Sequence, residues 1–298
     1  MAAVIETDGL TKRYGASRGI ENVSISVDQG EVYGFLGPNG AGKTTTIRTL
    51  LGLLHPSSGR ARIFGVDSHA EGRAIRARLG NLPGEFTCET KLSGRKFLKF
   101  CGEARGLPGL GSASLLAQRF EADLDRRIGD LSRGNRQKIG LIQALFHEPE
   151  LLLLDEPTTG LDPLMQEEFL AVVTEYRERG GTVFLSSHDL GEVERVCDRI
   201  AIIREGHLVA VEKMTDLRGR AYHHVAIEFD TAVDAAEFAR VPGVSELRAA
   251  GQRISFKASG ALDPVIKTAA RHTVLDMELT EPTLEEIFLT FYGRETGA

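Results

Sequence analysis

The sequence predicts an α/β fold, a parallel sheet with helices on both faces, followed by a smaller α+β domain. Three observations carry that expectation. A glycine-rich loop, residues 37–44, stands between a short apolar run and a stretch of helical character. Two more apolar runs, residues 151–154 and 182–185, flank an amphipathic stretch at 166–179. After about Leu217 the pattern changes to β-α-β-β-α-β, the split βαβ order.

The elements follow in order. Residues 23–27 alternate apolar and polar and read as a half-buried strand. Val32–Leu36 is a buried-type strand that feeds the glycine loop, and residues 45–54 read as the helix after it, ending near Gly52 and Pro56. Residues 86–145 contain no convincing strand and read as a helical insert. In the second domain, Val225, Ile227 and Phe229 alternate as a strand, and residues 234–240 form a short helix. Residues 244–247 and 254–256 are strands, with Gly251 between them. Leu262, Val265, Ile266, Ala269 and Ala270 have helical spacing, and Leu275, Met277 and Leu279 alternate again. A last helix is expected from Thr283 and Glu286 at capping-box spacing, with Leu284, Ile287, Phe288 and Phe291 on one face. The domain boundary is expected at 217/218.

Bulk properties bound the function. A chain of 298 residues is long enough for one large core and one smaller one. A net charge of -6 argues against a nucleic-acid binder. Cys88, Cys101 and Cys197 show no metal or disulfide spacing and suit a reducing compartment. The first residues lack a basic start followed by an apolar stretch, so no secretory signal is expected. The apolar runs fall far short of the roughly 20 residues that span a bilayer, so any membrane crossing falls to another chain.

The chemistry concentrates in a few segments. Gly37-Pro38-Asn39-Gly40-Ala41-Gly42-Lys43-Thr44 is a phosphate-binding loop. A triphosphate is a dense anion, best held by backbone N–H groups converging at a helix N-terminus. Lys43 is expected at the β- and γ-phosphates, and the Thr44 hydroxyl at Mg²⁺. At an average glycine usage of about 7%, this pattern arises by accident in roughly one such chain per hundred. Leu151–Leu154 ends in Asp155 and Glu156, which delivers two carboxylates to the ligand-binding edge of the sheet. Asp155 is placed to hold the metal and Glu156 to orient or deprotonate a water. His188 follows another buried strand and suits a donor to the γ-phosphate or to Glu156. A lone histidine there is otherwise an ordinary surface or core residue.

With these pieces in view, residues 3–217 resemble an ATP-binding subunit of the ABC superfamily. The resemblance rests on an ordered set: Tyr14 in Lys12-Arg13-Tyr14-Gly15, the phosphate loop, Leu131-Ser132-Arg133-Gly134-Asn135-Arg136-Gln137-Lys138, Asp155-Glu156, Gly160-Leu161-Asp162, and His188. It implies a P-loop NTPase core with N-terminal antiparallel strands, and ATP held by Tyr14, by residues 37–44 and by Thr45. It implies a homodimer in which Ser132, Arg133, Gly134 and Asn135 face the partner's nucleotide and Asp162 crosses the interface. It also implies a separate transmembrane permease contacted by the helical insert, and a cytoplasmic position on the inner face of the membrane. No nucleic acid is expected as a partner.

Two departures stand out. Gly84, in Gly80-Asn81-Leu82-Pro83-Gly84-Glu85, occupies a position where the family often has a metal-contacting glutamine, so that contact falls to Glu85 or to a water. Arg133 and Asn135 replace the usual glycine and glutamine; Arg133 either adds charge beside the γ-phosphate or faces solvent. The tail, ending Thr280-Glu281-Pro282-Thr283-Leu284-Glu285-Glu286-Ile287-Phe288, is similar to those of ABC-2-type drug and antibiotic exporters of the daunorubicin-exporter-like group. A soluble ABC ATPase without a transport role, or a regulatory or immunity module, is the alternative. A GTPase is disfavoured because no Asn-Lys-x-Asp motif is present.

Overall fold

The computed structural model describes residues 3–15, 17–219, 222–282 and Glu286. The chain divides into two units, Met1–Lys213 and Met214–Ala298. The first begins with β1 (Ala3–Tyr14), β2 (Ser17–Val23) and β3 (Ser26–Asp28). Residues 23–27, expected as one strand, therefore belong to two. β2 pairs with the second half of β1 and β3 with the first half, so the chain must step across between them. Thr7 fills the break: its hydroxyl donates to the Val23 carbonyl and accepts from the Ile25 N–H, both at 2.9 Å. Burial still alternates, because Val23, Ile25 and Val27 point into the core.

β4 (Val32–Leu36) is buried at every position and leads through the glycine loop into α1 (Lys43–Leu50). β5 (Ser58–Ile63) and β6 (Val66–Asp67) complete the N-terminal antiparallel sheet. After α2 (Gly72–Ala77) and β7 (Leu79–Leu82) comes the helical insert: α3 (Gly94–Ala104), α4 (Ala113–Arg119) and α5 (Arg133–Leu145). Then follow β8 (Leu151–Asp155), α6 (Pro163–Glu178), β9 (Thr182–Ser187), α7 (Leu190–Val196), β10 (Arg199–Arg204) and β11 (His207–Lys213).

The second sheet has the order β11-β10-β4-β9-β8-β7 and is parallel except at β11. Helices cover both faces, so its central strands are apolar without alternation. Leu151, Leu152 and Leu153 are fully buried, and each contributes about 1.5–3 kcal/mol by leaving water. Phe184 of β9 packs against Tyr33 and Phe35 of β4, with ring centroids 5.8 and 5.4 Å apart. Because β4, β7, β8 and β9 run parallel, their C-terminal ends emerge at one edge.

The second unit contains α8 (Met214–Gly219), β12 (His223–Phe229), α9 (Ala235–Ala239), β13 (Val244–Ala250), β14 (Arg253–Ala258), α10 (Asp263–Ala269) and β15 (Val274–Thr280). The sheet order β13-β14-β12-β15 is antiparallel throughout. Val225, Ile227, Phe229, Ile254 and Phe256 form its core with Phe238 and Val265. The expected alternation at Leu275, Met277 and Leu279 forms a strand, but all three side chains are exposed, as is Ile266. β15 is the edge of the sheet, so its apolar row has a neighbour on one side only. The expected last helix lies outside the described residues, apart from Glu286.

Candidate nucleotide site

The phosphate loop closes between β4 and α1. Gly42 is the N-cap of α1 with φ of 113°, a backbone region that only glycine enters without strain. A Cβ there would stand 2.6 Å from Ile20 Cγ2. Lys43 is buried, and its Nζ donates to the carbonyls of Gly37 at 2.6 Å and Pro38 at 3.3 Å. The same ammonium lies 3.0 Å from Glu156 Oε1, an ion pair without the angle of a hydrogen bond. Pro38, Asn39 and Gly40 are exposed at the loop's crest, while Ala41 is buried beneath it and its N–H donates to Pro38. Thr45 sits in the first turn of α1.

The acids arrive from β8. Asp155 is buried; Thr44 Oγ1 donates to its Oδ2 at 2.7 Å and Ser186 Oγ to its Oδ1 at 2.5 Å. A hydroxyl and a carboxylate together form a hard-oxygen donor pair of the kind Mg²⁺ takes alongside waters and phosphate oxygens. The residues present therefore fit that ion. Glu156 adopts φ of 52°, a left-handed conformation uncommon for a non-glycine residue and a form of strain found at functional sites. Its N–H is held by the Ser186 carbonyl at 3.1 Å and the Ser186 hydroxyl at 3.2 Å. Its Oε2 lies 2.6 Å from His188 Nδ1. Lys43, Thr44, Asp155, Glu156 and His188 thus meet at one sheet edge. A carboxylate placed between an ammonium and an imidazole can polarise a water and hand on its proton.

Gly84 lies beside Asp155, and a Cβ on it would stand 3.1 Å from Asp155 Oδ2. With Glu85, which is exposed, it lines a cavity of about 370 Å³ shared with Thr44, Asn81 and Asp155. Asn81 Oδ1 is buried there without a hydrogen-bond partner among the described residues.

The segment at 131–138 opens α5. Ser132 is its N-cap, accepting from the Asn135 N–H at 3.3 Å, so its own O–H is left to donate outward. Gly134 approaches the Gly160 carbonyl so closely that a Cβ would meet the oxygen at 2.3 Å. Arg133 is exposed, with its stem beside Gly160. Asp162 caps α6, its Oδ1 accepting from the Met165 N–H at 3.0 Å. Tyr14 ends β1 and is 42% exposed, and Lys12 Nζ lies 5.5 Å from its ring centroid.

The sequence motifs assign no role to three polar residues, Gln137 of the 131–138 segment among them. Ser186 holds both acids. Gln137 is buried and its amide donates to the Pro157 carbonyl at 3.1 Å and the Glu156 carbonyl at 3.4 Å. Glu192 is buried and accepts from Ser187 and Thr158. Only the alternation of polar and apolar residues around them, Ser186-Ser187 after an apolar strand above all, hints at their placement.

Comparison with known proteins gives this geometry a family. The family described as ABC transporter matches residues 20–159. The bacitracin transport ATP-binding protein BcrA of Bacillus licheniformis is 39% identical over 215 residues, covering 70% of this chain and 69% of its own length. The linearmycin resistance ATP-binding protein LnrL of Bacillus subtilis (strain 168) is 31% identical, covering 98% of this chain and 99% of its own. A solved ATP-binding subunit of an ABC transporter superposes with a TM-score of 0.67 at 31% identity, over 72% of this chain and 92% of that one. Among the described residues no helix is long and apolar enough to cross a membrane. The chain belongs to the ATP-binding subunits of ABC transporters of the exporter type, the ATP-hydrolysing members that work with transmembrane partners.

Proposed function

We propose that two copies of this chain close around two ATP-Mg²⁺, each copy presenting its 132–135 segment to the nucleotide held by the other. Lys43 and the loop N–H groups bind the phosphates, and Tyr14 stacks on the adenine. Thr44 and Asp155 would hold Mg²⁺, which would supply charge neutralisation at the phosphate oxygens. Glu156 orients and deprotonates the attacking water, and His188 steadies Glu156 and donates toward the γ-phosphate. Ser132 donates across the interface from the head of α5, and the remaining oxygen of Asp162 faces the partner. Closure moves a separate permease through the helical insert, at the inner face of the membrane. The relatives' printed roles, bacitracin transport and linearmycin resistance, support an antibiotic-like cargo.

The observation that carries this reading is the junction at Glu156: a strained backbone, an ammonium at 3.0 Å and an imidazole at 2.6 Å. Glu156→Gln keeps the shape and removes the base. Phosphate release is expected to fall by about 10²–10⁴ while ATP still binds and dimers accumulate in its presence. Turnover at the unaltered rate in that variant sinks the reading.

A further inference from the structure

The turns that carry Glu156 and His188 leave adjacent strands, and the last ladder contacts between them are at Asp155, Glu156 and Ser186. Beyond that point the backbone no longer ties one turn to the other. A side chain from α7 does. Glu192 is 8% exposed, and its Oε2 accepts from Ser187 Oγ at 2.7 Å and from Thr158 Oγ1 at 3.2 Å. Ser187 precedes His188, and Thr158 stands two residues past Glu156. Asp189 Oδ1 accepts from the N–H groups of Gly191 and Glu192 and so sets the start of α7. Gln137 of α5 grips the same 156–157 turn from its other side.

We propose that Glu192 is a positioning residue for ATP hydrolysis: its buried carboxyl braces the 156–158 turn against the 187–189 turn and keeps Glu156 and His188 in register. The inference rests on the reading of those two residues as the hydrolytic pair.

A carboxyl is well suited to this place, because one of its oxygens accepts from both hydroxyls at once. It also makes the brace sensitive to protonation. Burial pushes the Glu192 carboxyl up to about 7; the Ser187 and Thr158 hydrogen bonds oppose the rise, and Asp189 and Glu156 add to it. Cys197, at the far end of α7, also feels the Glu192 charge. Glu192 Oε1 is buried with no hydrogen-bond partner among the described residues. Once ionised, the carboxylate repels Glu156 across the brace.

The test measures kcat, KM for ATP and their pH dependence in the full chain, with Glu156→Gln as control. Glu192→Ala is expected to lower kcat at least about tenfold with KM nearly unchanged, the pattern of a misplaced catalytic group. Glu192→Gln, the shape of the protonated acid, is expected to regain most of that loss at pH 7 and to lack the wild-type fall above pH 7. Should Glu192→Ala not fold, Thr158→Val removes one arm of the brace and should still lower kcat with KM kept. Unchanged kcat in Glu192→Ala or Thr158→Val overturns the proposal. So does a Gln variant as impaired as Ala, or one with the wild-type pH profile. Wild-type turnover in Glu156→Gln overturns the hydrolytic pair instead, a result separable from failure of the brace alone.

Discussion

The two antiparallel and parallel regimes of this chain use the same apolar alphabet to different ends. In the first unit, β4, β8 and β9 are buried on both faces, and their parallel run brings every C-terminal end to one edge. Charge is then concentrated there: one ammonium, two carboxylates and an imidazole within a few ångströms. In the second unit, the sheet buries one face under α9 and α10, and β15 is exposed along its length. Its charged residues pair locally across the surface, as Arg253 with Glu278 and Lys257 with Glu246. The difference teaches how a sheet gathers charge. Left-handed non-glycine backbone occurs in both units, at Glu156 and at Glu246 of β13, but in the first unit the parallel strand ends bring Lys43, Asp155, Glu156 and His188 to one place.

The sharpest way to break this comparison is to empty the smaller core. Phe229→Ala removes a fully buried ring that packs on Phe238 at 5.8 Å, and it should cost about 3–5 kcal/mol. Calorimetry should show the second unit melting earlier while ATP affinity of the first unit holds. A parallel loss of nucleotide binding would mean the units are one cooperative system. Next in size is the pH response of Glu192. Its folded value of about 7 lies above the ordinary 4.5, so the folded state holds its proton more tightly. Stability is therefore lost as pH rises from 4.5 through 7, by about 3 kcal/mol. Denaturant midpoints at pH 5 and pH 8 should show that loss in the wild type and little of it in Glu192→Gln.

Gly42→Ala tests the tight loop. Its φ of 113° and the 2.6 Å approach of Ile20 should cost about 1–3 kcal/mol and lower ATP affinity more than tenfold. Titration with a fluorescent ATP analogue measures the second effect directly. The smallest effect belongs to Leu275→Ser on β15, 61% exposed, which should change stability by no more than about 0.5 kcal/mol. A large loss there would show that the strand is covered in solution.

Much of the site was legible because its parts are local. A phosphate loop needs its glycines, lysine and threonine within a single turn, so the pattern is contiguous and its strand-loop-helix setting is adjacent. Asp155 and Glu156 were legible for the same reason, as the end of an unbroken apolar run. Ser186, Gln137 and Glu192 were not, since their partners stand far away in sequence: Ser186 from Asp155, Gln137 from Pro157, Glu192 from Thr158. The break at Ser24 and Ile25 was hidden too, because the period-two burial continues through it while the pairing partner changes along β1.

By itself the sequence determined the strands and helices nearest the site, the helical insert, the element order of the second unit, the phosphate loop, the two acids and the family they belong to, because periodicity and motif spacing are properties of neighbouring residues; β5, β6, α2, α7, β10 and β11 were not read from it. It also determined that Gly84 offers no side chain to the metal. Only the tertiary structure decided that Glu156 sits strained between Lys43 and His188, that Ser186 secures both acids, and that Glu192 braces their turns. Those facts depend on which parallel strands lie side by side, and that choice is made by packing across the whole core.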